Sequence, residues 1–430
     1  MKQRITTVLL ALALLLSGAL AGCASQEPLA SEPVSMMIAT DLHYLSPELT
    51  DKGELYQQVA SNGDGKVFMY LSEITDAFCN QVIENQPDIL ILSGDLTLNG
   101  AAKSHNGLIE KLKAVQESGV QVLVIPGNHD LDGAAAAFIG AEIQPTEAFT
   151  SADFASAYET FGPAQAISRD ETTFSYIFEA GPDLWILMLD ANMGGKGFVK
   201  DSTLEWLEPQ LKQAQKSGIS VISVSHQNLY AHSNLLSFGY ELYNSDAVAE
   251  LFQKYGVKCN FSGHIHIQSI ATGDAADGGA VAGGPITEIA TSALTVSPLQ
   301  YGQIDYADGV LTYSAENVDV ESWAVDNGST DENLLDFTQY ANTIFADTAL
   351  NQVRSSYADS GLTSEEIELL AQTFAGINQA YFGGLELDSA DYAEGLKLLR
   401  SLPGSFFSSY IESMLQIEGK NLQEVTIPLQ

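Results

Sequence analysis

Basic residues are scarce in this chain: 18 Lys and Arg stand against 55 Asp and Glu, for a formal net charge of −37 over 430 residues. Binding to a nucleic-acid backbone draws on dense Lys and Arg, so no polymeric nucleic acid is expected as a partner. A small phosphate compound stays open, because bound metal ions can outweigh net charge locally. Cysteine is nearly missing, with three residues at positions 23, 79 and 259. A pairing of Cys79 with Cys259 remains open, but a domain of this size needs no staple and two buried thiols are expected. Internal repeats and low-complexity tracts are absent. Histidine is also rare, at seven residues.

The one long apolar run is N-terminal. Lys2 and Arg4 precede Val8 to Leu20, which leads to Leu20-Ala21-Gly22-Cys23. A basic start, an apolar stretch and small residues before cysteine form a lipoprotein signal pattern; the alternative is an uncleaved anchor. The expected organisation is a signal peptide over 1–22, with Cys23 lipidated and holding the protein to the outer side of a bacterial membrane, then a tether over 23–33. A larger domain would follow over 34–325, and a smaller helical domain over 326–430.

Five of the seven histidines fall in five short stretches: Asp41-Leu42-His43, Gly94-Asp95, Gly127-Asn128-His129-Asp130, Ser225-His226 and Gly263-His264-Ile265-His266. Each follows an apolar run that reads as a strand, such as Val34 to Thr40, Asp88 to Ser93 and Val120 to Ile125. Helical periodicity over Val67 to Glu84 and Ala101 to Glu117 makes the first part βαβαβ, with a motif at the carboxyl end of every strand, where open α/β sheets place their ligands. The polar stretch 51–66 reads as loop. Tyr301 to Tyr313 reads as a hairpin. From Glu332 onward the chain reads as helices, one opening at the capping box Thr363-Ser364-Glu365-Glu366.

Two divalent ions held close together need a bridging carboxylate, further oxygen donors and several neutral imidazoles. Asp41, His43, Asp95, Asn128, His226, His264 and His266 supply that set, with Asp95 suited to the bridge. The mixed oxygen and imidazole donors suit Mn, Fe or Zn. Any one stretch alone is weak, whereas all five in this order are strong.

Their series resembles that of the calcineurin-like metallophosphoesterases, D-x-H, G-D, G-N-H-[D/E], H and G-H-x-H, over Val34 to Val325. The context Ser93 to Gly100 and the helical C-terminal part are most like lipid-anchored bacterial cyclic-nucleotide phosphodiesterases. The resemblance implies a four-layer αββα sandwich of two mixed sheets flanked by helices, plus an all-helical C-terminal domain. It implies one metal on Asp41, His43, Asp95 and His266, and a second on Asp95, Asn128, His226 and His264. His129 would contact the phosphate or protonate the leaving oxygen, while a hydroxide held between the ions attacks phosphorus in line. Gln227 stands where many members carry a second histidine.

The expected activity is therefore a two-metal phosphodiesterase acting on small phosphodiesters, cyclic nucleotides first. A phosphomonoesterase or nucleotidase with the same centre is the alternative within the class, and a non-catalytic surface lipoprotein the alternative outside it. Asp130 is expected either to orient His129 or to be structural. His105 reads as structural or capping, with pocket lining as the alternative, and His232 as either pocket lining or surface.

Overall fold

The computed structural model describes residues 32–430 apart from 62, 64, 195, 234, 236–238, 274–284, 403, 405 and the side chain of 406. The signal pattern, Cys23 and nearly all of the tether lie outside the described residues.

Strand β1 (Val34–Ala39) is followed by helices α1 (Glu54–Ser61) and α2 (Leu71–Asn85), strand β2 (Ile89–Leu92), helix α3 (Ala102–Glu117) and strand β3 (Gln121–Val124). A small hairpin, β4 (Ala136–Ile139) with β5 (Glu142–Pro145), and helix α4 (Ser151–Ala157) lead to β6 (Ser168–Arg169), β7 (Tyr176–Gly181) and β8 (Leu184–Leu189). Next come α5 (Asp201–Ser217), β9 (Ser220–Ser225), α6 (Ser245–Tyr255), β10 (Cys259–Ser262), β11 (Ser269–Gly273) and β12 (Ile286–Ala290). The expected hairpin is β13 (Gln300–Ala307) with β14 (Val310–Asn317). Helices α7 (Val320–Asp326), α8 (Glu332–Leu335), α9 (Phe337–Tyr357), α10 (Ser364–Gly383), α11 (Ala393–Ser401) and α12 (Phe406–Met414) precede a last strand, β15 (Glu424–Pro428).

The strands form two large sheets, ordered β15-β14-β13-β1-β2-β3 and β11-β12-β10-β9-β8-β7-β6. Within them β1, β2 and β3 run parallel, as do β8, β9, β10 and β12. Strands β2 and β8 are apolar without a polar alternation because both of their faces are covered. In the second sheet Ile186, Met188, Ile222 and Val224 join a core shared with Met36 and Ile38 of the first. Their neighbours Trp185, Leu187 and Val221 point the other way, onto Leu207, Leu211, Val248 and Phe252 of α5 and α6. Helices α2 and α3 cover the opposite side through Ile74, Phe78, Leu108 and Leu112. The result is the four-layer sandwich of two mixed sheets flanked by helices.

Two segments differ from the sequence reading. The stretch read as loop over 51–66 contains α1, whose one buried residue is Tyr56. Its phenol donates to Phe68 O at 2.6 Å, so the helix is held by one anchor and leaves little apolar periodicity to read. The region read as wholly helical ends in β15, which pairs antiparallel with β14 and buries only Ile427. Helix α7 also runs through the expected boundary at 325/326.

The capping box at Thr363 and Glu366 is formed, and Cys79 and Cys259 are free and buried. The C-terminal helices share a core of Phe374, Ile377, Leu396 and Ile411 with Ile265 and Ile267 from the loop after β10. No helix among the described residues is long and apolar enough to cross a membrane.

Candidate metal centre

The carboxyl ends of β1, β2, β3, β9 and β10 meet at one place, and every sequence-predicted site residue lies there. The turns that bring them in are strained. Asp41, His43, Asp95, His264 and His266 all have positive φ, between 43° and 67°. Such backbone is costly for residues with a Cβ and persists only where surroundings enforce it. The enforcing contacts include two glycines. A Cβ on Gly127 would lie 2.1 Å from Asp95 N, and one on Gly263 would lie 1.9 Å from Thr40 Oγ1. Glycine is the residue that lets these backbones approach.

Asp41 divides its carboxylate between two tasks. Oδ2 accepts from Thr40 Oγ1 at 2.7 Å and from His264 N at 2.8 Å, tying β1 to the loop after β10. Oδ1 faces inward, 3.2 Å from His266 Nε2 and 3.7 Å from His43 Nε2, yet it forms no aligned hydrogen bond. The two imidazoles approach each other, with Nε2 to Nε2 at 3.3 Å. His43 Nδ1 is likewise buried without a hydrogen-bond partner.

Asp95 stands between this group and a second one. Its Oδ1 accepts from His129 N at 2.8 Å and lies 3.4 Å from His226 Nε2. Its Oδ2 lies 4.0 Å from His43 Nε2 and 3.9 Å from His129 Nε2. Asn128 Oδ1 is 3.1 Å from His226 Nε2.

In the second group the ring tautomers follow from backbone carbonyls, which only accept. His226 Nδ1 donates to Ser93 O at 2.9 Å, leaving Nε2 toward Asp95 and Asn128. His264 Nε2 donates to Gly239 O at 2.9 Å, leaving Nδ1 as its donor atom. His129 Nδ1 donates to Leu98 O at 3.0 Å. An outer carbonyl or carboxylate on the far ring nitrogen is the usual way a metal-binding histidine is oriented.

Charge states agree with a donor set. Burial would raise the Asp41 carboxyl, but the adjacent His266 imidazole outweighs it and holds it below its ordinary range. Burial is outweighed in the same way at Asp95, chiefly by His226, which holds that carboxyl well below its ordinary value. Burial, and next the Lys66 charge, push His43 well down. Burial and then His226 bring His264 down to about 4. His226 is the exception: burial lowers it, but the Asp95 carboxylate carries it up to about 9. A cation held beside Asp95 would take the place of that proton.

Three clusters of ligand atoms lie within 4.8 Å of one another: Asp41, His43 and His266; His43, Asp95 and His129; and Asp95, His226 and His264. Asp41 Oδ1 facing two imidazoles, the close Nε2 atoms and the carbonyl-held rings gather oxygen and nitrogen donors in one pocket. That chemistry fits divalent ions, with Asp95 reachable from both sides.

Residues 35–268 match the calcineurin-like phosphoesterase family, and residues 319–421 match the C-terminal domain of cyclic nucleotide phosphodiesterase. The chain belongs to the calcineurin-like phosphoesterases. One relative, a "Probable cyclic nucleotide phosphodiesterase" of Moraxella catarrhalis (strain BBH18), is 25% identical over 183 residues, 42% of this chain and 58% of that protein. A second of the same description, from Ruthia magnifica subsp. Calyptogena magnifica, is 45% identical over 53 residues, 12% of this chain and 21% of that one. The chain thus spans about three fifths and one fifth of the curated relatives it matches. Among solved structures, a dimetal phosphatase from Danio rerio aligns with a TM-score of 0.47 at 13% identity, covering 66% of this chain and 97% of that one.

Other residues of this calcineurin-like phosphoesterase build the site from behind. Asp130 does not touch the His129 ring. Its carboxylate accepts from Leu96 N, Thr97 N and Gly127 N at 2.8–3.0 Å, clamping the loop after β2 to the loop after β3. His105 is buried, bonds Asp130 O and the Tyr158 hydroxyl, and stacks on Phe149, so its role is structural. Gln227 forms a reciprocal amide pair with Asn192, at 2.8 and 3.1 Å.

Glu288, fully buried, accepts from Leu229 N and Tyr230 N at 2.7 Å and from Asn260 at 2.8 Å, and lies 3.1 Å from His232 Nε2. It fixes the loop that follows His226, and it places the His232 side chain inside rather than at the surface. Sequence reasoning missed Glu288 and Asn192. The sole signal for either was a polar residue inside an otherwise apolar strand or at its end.

Proposed function

We propose that this protein is a two-metal phosphodiesterase that hydrolyses small phosphodiesters, with cyclic nucleotides the preferred class. The observation that carries the reading is Asp95, a buried carboxylate whose two oxygens face two different clusters of imidazole nitrogen. Asp41, His43 and His266 would share Asp95 in holding one ion; Asn128, His226 and His264 would share it in holding the other. Mn, Fe or Zn suit this mixture of oxygen and imidazole donors. The C-terminal family match and both curated relatives support a cyclic nucleotide over other small phosphodiesters.

Bound divalent ions supply Lewis acidity toward phosphoryl oxygens and acidify water. The chain's own residues do the rest. Asp41 and Asp95 keep negative charge at the floor of the site, and the carbonyls of Ser93 and Gly239 keep His226 and His264 in their donor tautomers. The His129 side chain is 45% exposed, with Nδ1–H tied to Leu98 O. Its Nε2 is thereby the ring atom left toward the site. Protonated there, the imidazolium can hand that proton to the leaving oxygen and return to the neutral Nδ1–H ring.

The test is a steady-state panel of bis-p-nitrophenyl phosphate, p-nitrophenyl phosphate and cyclic AMP, with Mn²⁺ or Fe²⁺ added and then chelated. Chelator-sensitive diester cleavage is expected, and cleavage of monoesters alone would sink the reading. His129→Ala should keep its metal and lose most of its turnover; near-normal kcat would remove His129 from the proton transfer.

The tether and anchor belong to the same proposal: cleavage before Cys23 and a lipid on its thiol would hold the domain at the membrane. Cys23→Ser should move the protein from the membrane fraction to the soluble one, and unchanged fractionation argues against the anchor.

A further inference from the structure

His264 takes its ring orientation from a part of the chain outside the five motifs. Its Nε2 donates to Gly239 O at 2.9 Å, and Gly239 lies in the loop between β9 and α6. That loop is tied off at its base. Asn228 N donates to Tyr240 O at 3.0 Å, and Leu242 N donates to Asn228 O at 2.8 Å. The Asn228 amide also donates to Gly263 O at 3.1 Å, on the residue before His264. The Tyr240 ring, next to Gly239, lies 5.4 Å from the His264 ring between centroids. His264 is therefore fixed no better than this loop is.

Two anchors hold the loop beyond its base. Glu288 of β12 is the first, through Leu229 N and Tyr230 N at 2.7 Å. Tyr381 of α10 is the second. Its hydroxyl donates to His232 O at 3.2 Å, and its ring is buried in the core of the C-terminal helices. Tyr240 packs against that same core. One residue further along α10, Phe382 O accepts from Gln268 N at 2.8 Å, two residues past His266. The last turn of α10 thus braces the segment that carries the histidine pair and the loop whose carbonyl holds His264.

We propose that Tyr381 is a positioning residue for the ion that Asp95, Asn128, His226 and His264 would hold, with Glu288 as the opposing anchor of the same loop. The C-terminal helices then have a task in the chemistry without contributing a donor: they set how firmly one of the two ions is bound. An imidazole whose outer hydrogen bond is loosened is no longer aimed, and metal affinity falls. The Tyr381 hydroxyl bonds the loop and not the strand ends that carry Asp41 and His43, so its removal should act on one ion. The inference rests on the two-metal reading above and adds to it which part of the chain sets the His264 side.

The test titrates Mn²⁺ by calorimetry into the chelated full chain and into Tyr381→Phe, which removes the hydroxyl and keeps the ring. His264→Ala marks which binding step belongs to the His264 ion. Loss of a direct outer partner costs about 10–100-fold in metal affinity. Tyr381 acts one contact further out, so that step should weaken by about fivefold, with the other step unchanged. Glu288→Gln should weaken the same step by about tenfold or more; if that variant fails to fold, Tyr381→Phe decides alone. Tyr56→Phe is the control, because it deletes another buried phenol that donates to a carbonyl, far from the loop in the chain. It should leave both steps as they are. Two steps in Tyr381→Phe that match the unmodified chain, or that weaken together, overturn the proposal, as does an equal effect of Tyr56→Phe. A single step in the unmodified chain overturns the two-metal reading itself, whatever Tyr381 does.

Discussion

Around His226 and His264, the protein supplies an acceptor for the ring nitrogen that faces away from the cluster; around His43, it does not. Ser93 O and Gly239 O hold the first pair of rings, whereas Asp41 Oδ1 and His43 Nδ1 are buried with no hydrogen-bond partner. An unpaired buried polar group costs about 1–3 kcal/mol, and more when charged. The His226 half is therefore formed by the fold itself, and the Asp41 half stores a deficit that a cation relieves. One half should exist before metal arrives, and the other should be completed by it.

The sharpest way to break this contrast is at Asp95, which both halves share. Asp95→Ala should strip metal from both and lower kcat by about three orders of magnitude, read by elemental analysis beside steady-state turnover. Retention of one full equivalent of metal would mean that the halves do not share this carboxylate.

Chelation comes next in size. At ion concentrations about a hundredfold above Kd, removing a ligand that binds only the folded state costs about 2.7 kcal/mol, read as a fall in the denaturant midpoint. In the chelated protein Asp41→Asn should recover part of that loss, since it deletes a buried charge whose Oδ1 has no aligned hydrogen bond. His226→Gln should recover none, because it breaks a bond to Ser93 O that is already made. Equal behaviour of the two variants would erase the distinction between the halves.

Gly263→Ala follows. Its Cβ would need to sit 1.9 Å from Thr40 Oγ1, and overpacking of this kind costs about 1–3 kcal/mol. Gly361, with open space around it, gives a variant that lacks the steric clash, though its positive φ still strains an alanine. A Gly263→Ala midpoint no lower than that of Gly361→Ala would argue that the turn is not tightly held.

The smallest effect is expected at Ile265, which lies between the two histidines and packs into the core of the C-terminal helices. Ile265→Val should cost about 1 kcal/mol and loosen metal by less than tenfold. A larger loss of metal than of stability would show that the helices position the histidine pair more than they stabilise the fold.

The parts of this design that were legible in the sequence are those with local signatures. The strands β1, β2 and β3 are mainly apolar runs, and each ends in a short motif; those after β2 and β3 open with glycines, Gly94 and Gly127, needed for close approach. The donor residues could be named because each motif stands at a strand end. What was not legible depends on partners far away in the chain. Asp130 clamps backbone amides more than thirty positions upstream, and nothing beside it separates that role from service to His129. Ile265 reads as spacing within a histidine motif, although it belongs to a helical core built more than a hundred residues later. Strand β15 carries one buried residue and a terminal proline, too little periodicity to announce a strand. The outer carbonyls of Ser93, Leu98 and Gly239 are main-chain groups and have no letter in the sequence at all.

That last strand has a consequence for the order in which the molecule can be finished. Strand β1 pairs with β13, so Val34 waits for Tyr306, and the free flank of β14 waits for residues 424–428. A chain that stopped at 421, where the C-terminal family match ends, would already contain every donor in the metal centre. It would also present β14 as a bare edge, an invitation to pair with another copy. The final residues thus cover β14 and become the edge themselves, a strand of only five residues that ends in proline and offers another copy a poorer template.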